Sequence, residues 1–227
     1  MAGTYFTPET FRFLRELREN NRRDWFEQHR DRYEDAARQP MLRFLTDLGP
    51  RLRRVAPEFQ VDPRPVGGSM MRIHRDVRFA KDKSPYKTAL AAHFGHEAGA
   101  DEACPAFYLH VAPDDCAAGA GVWRPAPPAL KQIRDAIVAR PDEWRRATRD
   151  RQFGSACGLM GEKLARPPKG YDADHPLIED LKRKDFALCV EISEQQVCAP
   201  AFLDDYVAAC RALAPFARFL SGAVGLG

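Results

Sequence analysis

The sequence predicts an α+β fold, a mainly antiparallel sheet flanked by N-terminal and C-terminal helices. Three observations carry this. Residues 1–60 place apolar side chains every three or four positions, as helices do. Residues 61–125 alternate them in short runs joined by tight links, as antiparallel strands do. Residues 126–227 return to the helical spacing, with one late strand among the helices. The regular strand–helix alternation of a parallel sheet is missing, and the 227 residues are expected to build one domain with a substantial core.

Thr7-Pro8-Glu9 reads as a helix start, with Thr at the cap, Pro at the first helical position and Glu in the first turn. Phe11, Leu14 and Leu17 then share a face, and Asn20-Asn21 ends this helix and caps the next. The second helix carries Trp25, Phe26, His29, Tyr33 and Ala36 or Ala37, and Gln39-Pro40 is expected to break it. Leu45, Leu48, Leu52 and Val55 continue the pattern to about Pro57, with a bend expected at Gly49-Pro50. Prolines between Val61 and Pro65 mark a connector. Residues 67–74 are expected to form a strand with Met71 and Ile73 on one face and Arg72 and His74 on the other. Further strands are expected over 90–96, 106–112 and 116–123. Pro113-Asp114-Asp115 should turn the last pair, and Gly119 and Gly121 signal a bulge or a close backbone approach.

Pro127 or Pro128 opens a helix with Leu130, Ile133 and Ile137 inward, and Arg140-Pro141 separates it from another around Trp144. A loop-rich passage follows, punctuated by Gly154, Gly158 and Gly161 and then by residues 166–171. Asp174-His175-Pro176 reads as a helix start leading to Leu177, Ile178 and Leu181. Residues 186–192 form a late apolar strand. Pro200 opens a last helix carrying Phe202, Leu203, Tyr206, Val207, Cys210, Leu213 and Phe216.

The net charge of +3 is too small for a globally basic protein, but it is unevenly spread. Residues 1–90 hold 19 Lys and Arg against 13 Asp and Glu, while the remainder hold 16 against 19. No apolar run is long enough to cross a membrane. The N-terminus lacks the basic start and apolar stretch of a secretory signal, so a cytoplasmic location is expected. The six cysteines are scattered, without a Cys-x-x-Cys pair, and read as buried thiols.

Residues 72–87 stand apart. Arg72, Arg75, Arg78, Lys81, Lys83 and Lys87 are set against only Asp76 and Asp82, with His74, Phe79 and Tyr86 among them. One reading is an anion site: Arg supplies planar bidentate contacts, Lys a point charge, and Tyr86 a ring to stack on a base or a hydroxyl to donate. His74 would be a general base near neutral pH, oriented by Asp76 two residues along the same face. The opposing reading is an internal ion-pair network that caps the sheet. The segment has no glycine run of a phosphate-cradling loop, and no nucleophile motif accompanies His74.

Other candidates are weaker. His93 and His96 stand three apart on a strand, which puts them on opposite faces, so neither these nor His110 predict a metal site. Asn21, Arg22, Arg23, Asp24 and Trp25 form a polar-aromatic cluster at a helix start that could hold an anion. There the simpler expectation is a core role for Trp25 and Phe26, with the arginines paired to Glu19 or Glu27.

The blocks Thr10-Phe11-Arg12-Phe13-Leu14-Arg15-Glu16-Leu17, Asn20-Asn21-Arg22, Trp25-Phe26, 72–76 and 83–87 together resemble a family of bacterial conserved hypothetical proteins, the domain of unknown function 2461. Gly119-Ala120-Gly121-Val122-Trp123-Arg124-Pro125 and Arg166-Pro167-Pro168-Lys169-Gly170-Tyr171 resemble its later blocks. Arg30 stands where Lys is expected and Ala80 where Ser is common. The resemblance covers nearly the whole chain. It implies a single-domain bacterial protein and carries no activity or cofactor with it.

Three functions remain open on the sequence. The first is a small phosphate- or carboxylate-bearing ligand bound by the block, with or without catalysis. The second is a nucleic-acid-binding module, where Phe79 and Tyr86 stack and the cations meet phosphates. The third is a structural or protein-interaction role in which the block's charges are paired internally. Oligomeric state is left open.

Overall fold

A computed structural model describes residues 3–99, 104–148 and 157–226. The first helix, α1 (Pro8–Glu19), runs between the two ends expected of it, from Thr7 to Asn20. The short α2 (Arg23–Gln28) and α3 (Arg30–Tyr33) follow, and a π-helical turn, Glu34–Arg38, leads without interruption into α4 (Gln39–Val55).

Gln39-Pro40 therefore does not break the helix. Proline removes one intrahelical donor and crowds the carbonyl four residues back, which here belongs to Ala36. The wider π turn makes room for the ring. The Thr10 hydroxyl, projecting from α1, donates a 2.6 Å hydrogen bond to the Ala36 carbonyl, so the acceptor that Pro40 abandons is satisfied inside the core. Pro50 lies within α4, which continues to Val55, close to the end expected near Pro57.

The sheet comprises β1 (Leu90–Gly95), β2 (Ala106–Ala112), β3 (Asp115–Val122), β4 (Cys157–Met160) and β5 (Phe186–Ile192), in the order β1-β2-β3-β5-β4 with every pair antiparallel. Between β2 and β3 the chain turns at Pro113-Asp114, where Asp114 takes a left-handed φ of 63° that Asp tolerates better than most residues. Gly121, at φ 141°, is the close approach anticipated: a β-carbon there would lie 2.0 Å from the Phe186 carbonyl oxygen on β5. β4 is an addition to the sequence reading. Gly158 belongs to this strand rather than to a loop, and Gly154 lies outside the described residues. The strand is short, glycine-containing and at the edge, and its pairing with β5 supplies the order that its own residues do not signal.

Helices α5 (Pro127–Ala139), α6 (Pro141–Thr148), α7 (Ile178–Leu181), α8 (Glu194–Val197) and α9 (Phe202–Ala223) complete the described elements. The start expected at Asp174-His175-Pro176 is displaced to Leu177, and only four helical residues follow. α9 packs on β3, and also on α4, α5 and α6, so it is the central strut between the sheet and the other helices.

The inner face of the sheet contributes Phe107, Leu109, Val111, Ala118, Ala120 and Leu188, all buried. Phe6, Phe44, Phe202 and Tyr206 interlock at one end of the helical layer, and Trp144 packs with Phe186, Phe216 and Phe219 at the other. Cys116 and Cys210 are buried. Cys104, Cys189 and Cys198 are only half-buried, so the buried-thiol reading holds for part of the set. No described helix is long and apolar enough to cross a membrane.

Candidate functional site

The segment leading into the basic block is not the regular strand expected over 67–74. Gly67 takes φ 70°. The stretch makes isolated bridges only, Met70 to Ala92 and His74 to Tyr86. Its cross-strand backbone hydrogen bonds come in two short sets: the Met71 and His93 amides bond to Ala91 and Ser69, and the Arg75 and Lys87 amides to Pro85 and Ile73. The result is a broken hairpin running beside β1, closed at His74 and Tyr86 and projecting residues 76–84 as its tip. With the pleat interrupted, Ile73 is buried while Met71 is exposed, so the two do not share a face as a regular strand requires.

The base of this hairpin is clamped by residues distant in sequence. Asn21 Nδ2 donates to the Tyr86 carbonyl at 2.9 Å, and the Tyr86 amide donates to Asn21 Oδ1 at 3.0 Å. One side chain thus takes both backbone bonds that a neighbouring strand would make. The Tyr86 ring is buried and stacked on Phe26 with centroids 4.1 Å apart. Burial, with the Glu27 charge nearby, pushes its hydroxyl upward in pKa, against the opposing charges of Arg23 and Arg30. Tyr86 is therefore the anchor of the loop, and its ring faces protein rather than a base.

The two clusters that the sequence keeps apart, 21–25 and 72–87, are thereby joined, with the residues to Arg30 beside them. Within the first, Phe26 is buried as expected and Trp25 stacks on His29 at 4.1 Å. Arg30 pairs with Glu27, while Arg22 pairs with Asp24 instead of the expected Glu19 or Glu27.

At the tip the charges divide into two groups. Arg75 bonds Asp82 and the Ser84 carbonyl. Asp82 also accepts from the Ser84 amide and hydroxyl, and these bonds, with Arg75, hold its carboxyl well below the usual range. Arg78 grips Asp76 through Nε at 3.0 Å and Nη2 at 2.7 Å, and lowers its carboxyl in turn. Lys83 Nζ donates to the Val77 and Arg78 carbonyls at 2.9 and 3.4 Å, bracing the turn. Arg72 and Lys81 are exposed and form no hydrogen bond or ion pair among the described residues, although the Arg72 charge adds to the lowering of Asp76. Lys87 is half-buried at the hairpin base, where its amide joins the ladder.

His74 is exposed, with its ring 5.2 Å from that of Tyr86 and 6.4 Å from that of Phe26. Asp76 is committed to Arg78 and makes no hydrogen bond to His74. The carboxylate near His74 is instead Glu27, expected from the sequence only as an arginine partner; its bond to Arg30 holds it below the usual range, with a smaller contribution from His74. Phe79, at the tip, is 96 % exposed, with the Arg78 guanidinium 5.9 Å from its ring centre.

The model of one family, described as a conserved hypothetical protein (DUF2461), matches residues 9–219. The chain belongs to the DUF2461 family. No curated protein and no solved structure matches it.

The later blocks resembling DUF2461 lie elsewhere, one against Asp185 and the other against α5. Asp185, just before β5, is buried and accepts from the Arg124 amide at 2.8 Å and the Glu162 amide at 3.0 Å. Arg124 holds a left-handed φ of 50°, and a β-carbon at Gly161 would strike the Asp185 side chain. Arg134 is buried and donates to the Arg183 carbonyl, while Arg183 donates to the Leu159 and Met160 carbonyls. Asp180 accepts from the Trp144 indole at 2.9 Å. Tyr171, from the 166–171 loop, donates to Asp135 at 2.8 Å. His93 and His96 are on opposite sides of the sheet margin, with His96 buried against Phe59. Among the described residues, no three His, Cys, Asp or Glu side chains gather as a metal ion requires.

Proposed function

We propose that the DUF2461 chain binds a phosphate- or carboxylate-bearing ligand at the basic hairpin. The observation that carries this reading is the division of charges at the tip: both acids are bonded to Arg75 and Arg78, while Arg72 and Lys81 stay exposed with no hydrogen bond or ion pair among the described residues. A purely structural network has no use for unmatched cations, because exposed pairs add little stability and lone exposed charges add less. The clamp from Asn21 and Phe26 to Tyr86 fixes the hairpin base, so the cations ride on an ordered support.

In this reading Arg72 and Lys81 contact the anion, and Lys83 adds positive field while bracing the turn. Arg75, Arg78, Asp76 and Asp82 shape the loop. Should the bound ligand be turned over, His74 is the proton-transfer group at the hairpin base, with Glu27 as its nearby carboxylate. The loop's two ion pairs remain a structural element under the same proposal.

Titration calorimetry with inorganic pyrophosphate and with citrate tests this. The native chain should bind at least one of them at low salt, and the Arg72→Ala/Lys81→Ala variant should lose most of that binding with an unchanged melting temperature. Equal binding by the two proteins, or none by either, refutes the reading.

A further inference from the structure

Phe79 has no structural reason to be where it is. Its ring is 96 % exposed at the hairpin tip, an unfavourable place for a phenyl group as far as folding is concerned. It is nevertheless not left to chance. The Arg78 guanidinium lies over the ring at 5.9 Å, and Asp76 holds Arg78 through two of its nitrogens. Asp76, Arg78 and Phe79 thus form a chain of contacts that presents a flat aromatic surface to solvent, backed by a fixed cation.

A free phosphate or carboxylate would use the cations and ignore the ring. A ligand that alternates anionic groups with flat rings would use both. We infer that the hairpin tip binds single-stranded nucleic acid, with one base stacked on Phe79 and the flanking phosphates meeting Arg72, Lys81 and Lys83. This rests on the anion reading above and narrows it to a polymer. Arg23, exposed on α2 with its charge reaching Tyr86 at the hairpin base, extends the positive surface, while Arg30 beside it is paired with Glu27.

A duplex fits less well, since its bases are already stacked and the cations sit on a loop rather than on a helix able to enter a groove. A membrane surface also fits less well. The tip offers one large apolar side chain beside two aspartates, with Val77 and Ala80 half-buried, where an interfacial segment presents a continuous apolar face.

Fluorescence anisotropy with a labelled oligothymidylate of about twelve nucleotides tests the inference, alongside pyrophosphate titration, a duplex of equal length and phosphatidylserine vesicles. The oligonucleotide should bind at low salt and weaken steeply as salt rises. Phe79→Ala should weaken oligonucleotide binding roughly tenfold and leave pyrophosphate binding unchanged, whereas Lys81→Ala should weaken both. All these side chains are exposed, so the melts of the variants should match the native one. Pyrophosphate binding without oligonucleotide binding would overturn this inference and leave the anion reading intact; binding of neither would overturn both. An unaffected Phe79→Ala variant, tighter binding to the duplex, or Phe79-dependent binding to vesicles alone would each contradict it.

Discussion

The DUF2461 chain contains two arginine-rich regions that use the same side chain in opposite ways. In the region around Asp185, Arg134 and Arg183 are largely buried and aim their Nη donors at backbone carbonyls, with Asp180 3.7 Å from Arg183 Nε, and the acids there accept from backbone amides or an indole. Burial without a matching carboxylate lowers the Arg134 guanidinium in pKa, the cost of keeping a charge out of water. In the hairpin, the arginines are surface groups, two of them folded back on aspartates and Arg72 left outward. The first region staples strand ends and loops together. The second arranges charge toward solvent. A count of Arg and Lys cannot separate these roles; where each donor ends can.

Asp185→Ala should break the contrast most severely. It strips the buried acceptor from two backbone amides, each worth about 1–3 kcal/mol when left unpaired, so urea unfolding should show a loss of about 2 kcal/mol. A loss below about 0.5 kcal/mol, typical of surface changes, would mean that this region is not a staple.

Asn21→Ala comes next. Removing both bonds to the Tyr86 backbone should cost about 1–2 kcal/mol and speed amide hydrogen exchange in residues 73–87 while α9 stays protected. Uniform exchange across both regions would show that the hairpin is not a separately anchored unit.

The smallest effect concerns pH. Glu16 is held below the usual carboxylate range chiefly by its bond to Arg32. A depressed carboxyl contributes stability that is present above its unfolded pKa and lost as pH falls through the folded one. The melting difference between native protein and Glu16→Gln should therefore be greatest near neutrality and shrink in acid. A difference that grows on acidification would contradict the assignment.

Much of the fold is legible in the residues. Phe107, Leu109 and Val111 alternate cleanly with Tyr108 and His110, and the predicted strand is the observed one. The spacing of Phe202 through Phe216 gives α9, and Thr7-Pro8 gives the start of α1. The failures share a cause: a contact distant in sequence decides the local structure. Pro40 stays helical because Thr10 answers the Ala36 carbonyl, β4 is ordered by β5, and residues 67–74 are broken by pairing with two separate pieces of backbone.

The site follows the same rule. Its charges are plain in residues 72–87, but nothing local tells that Tyr86 turns inward onto Phe26 and Asn21 while Phe79 turns out. Both are aromatic residues set among lysines and arginines. Nor does the chain announce that Asp76 belongs to Arg78 and that Glu27, 47 positions before His74 and bonded to Arg30, lies near it.

The most direct test sets the two regions side by side: pyrophosphate binding and thermal melting for Arg72→Ala/Lys81→Ala and for Asp185→Ala. The hairpin variant should lose binding and keep its melt, while Asp185→Ala lowers the melt. A hairpin variant that melts early and binds as the native chain does would show that the exposed cations, too, are structural.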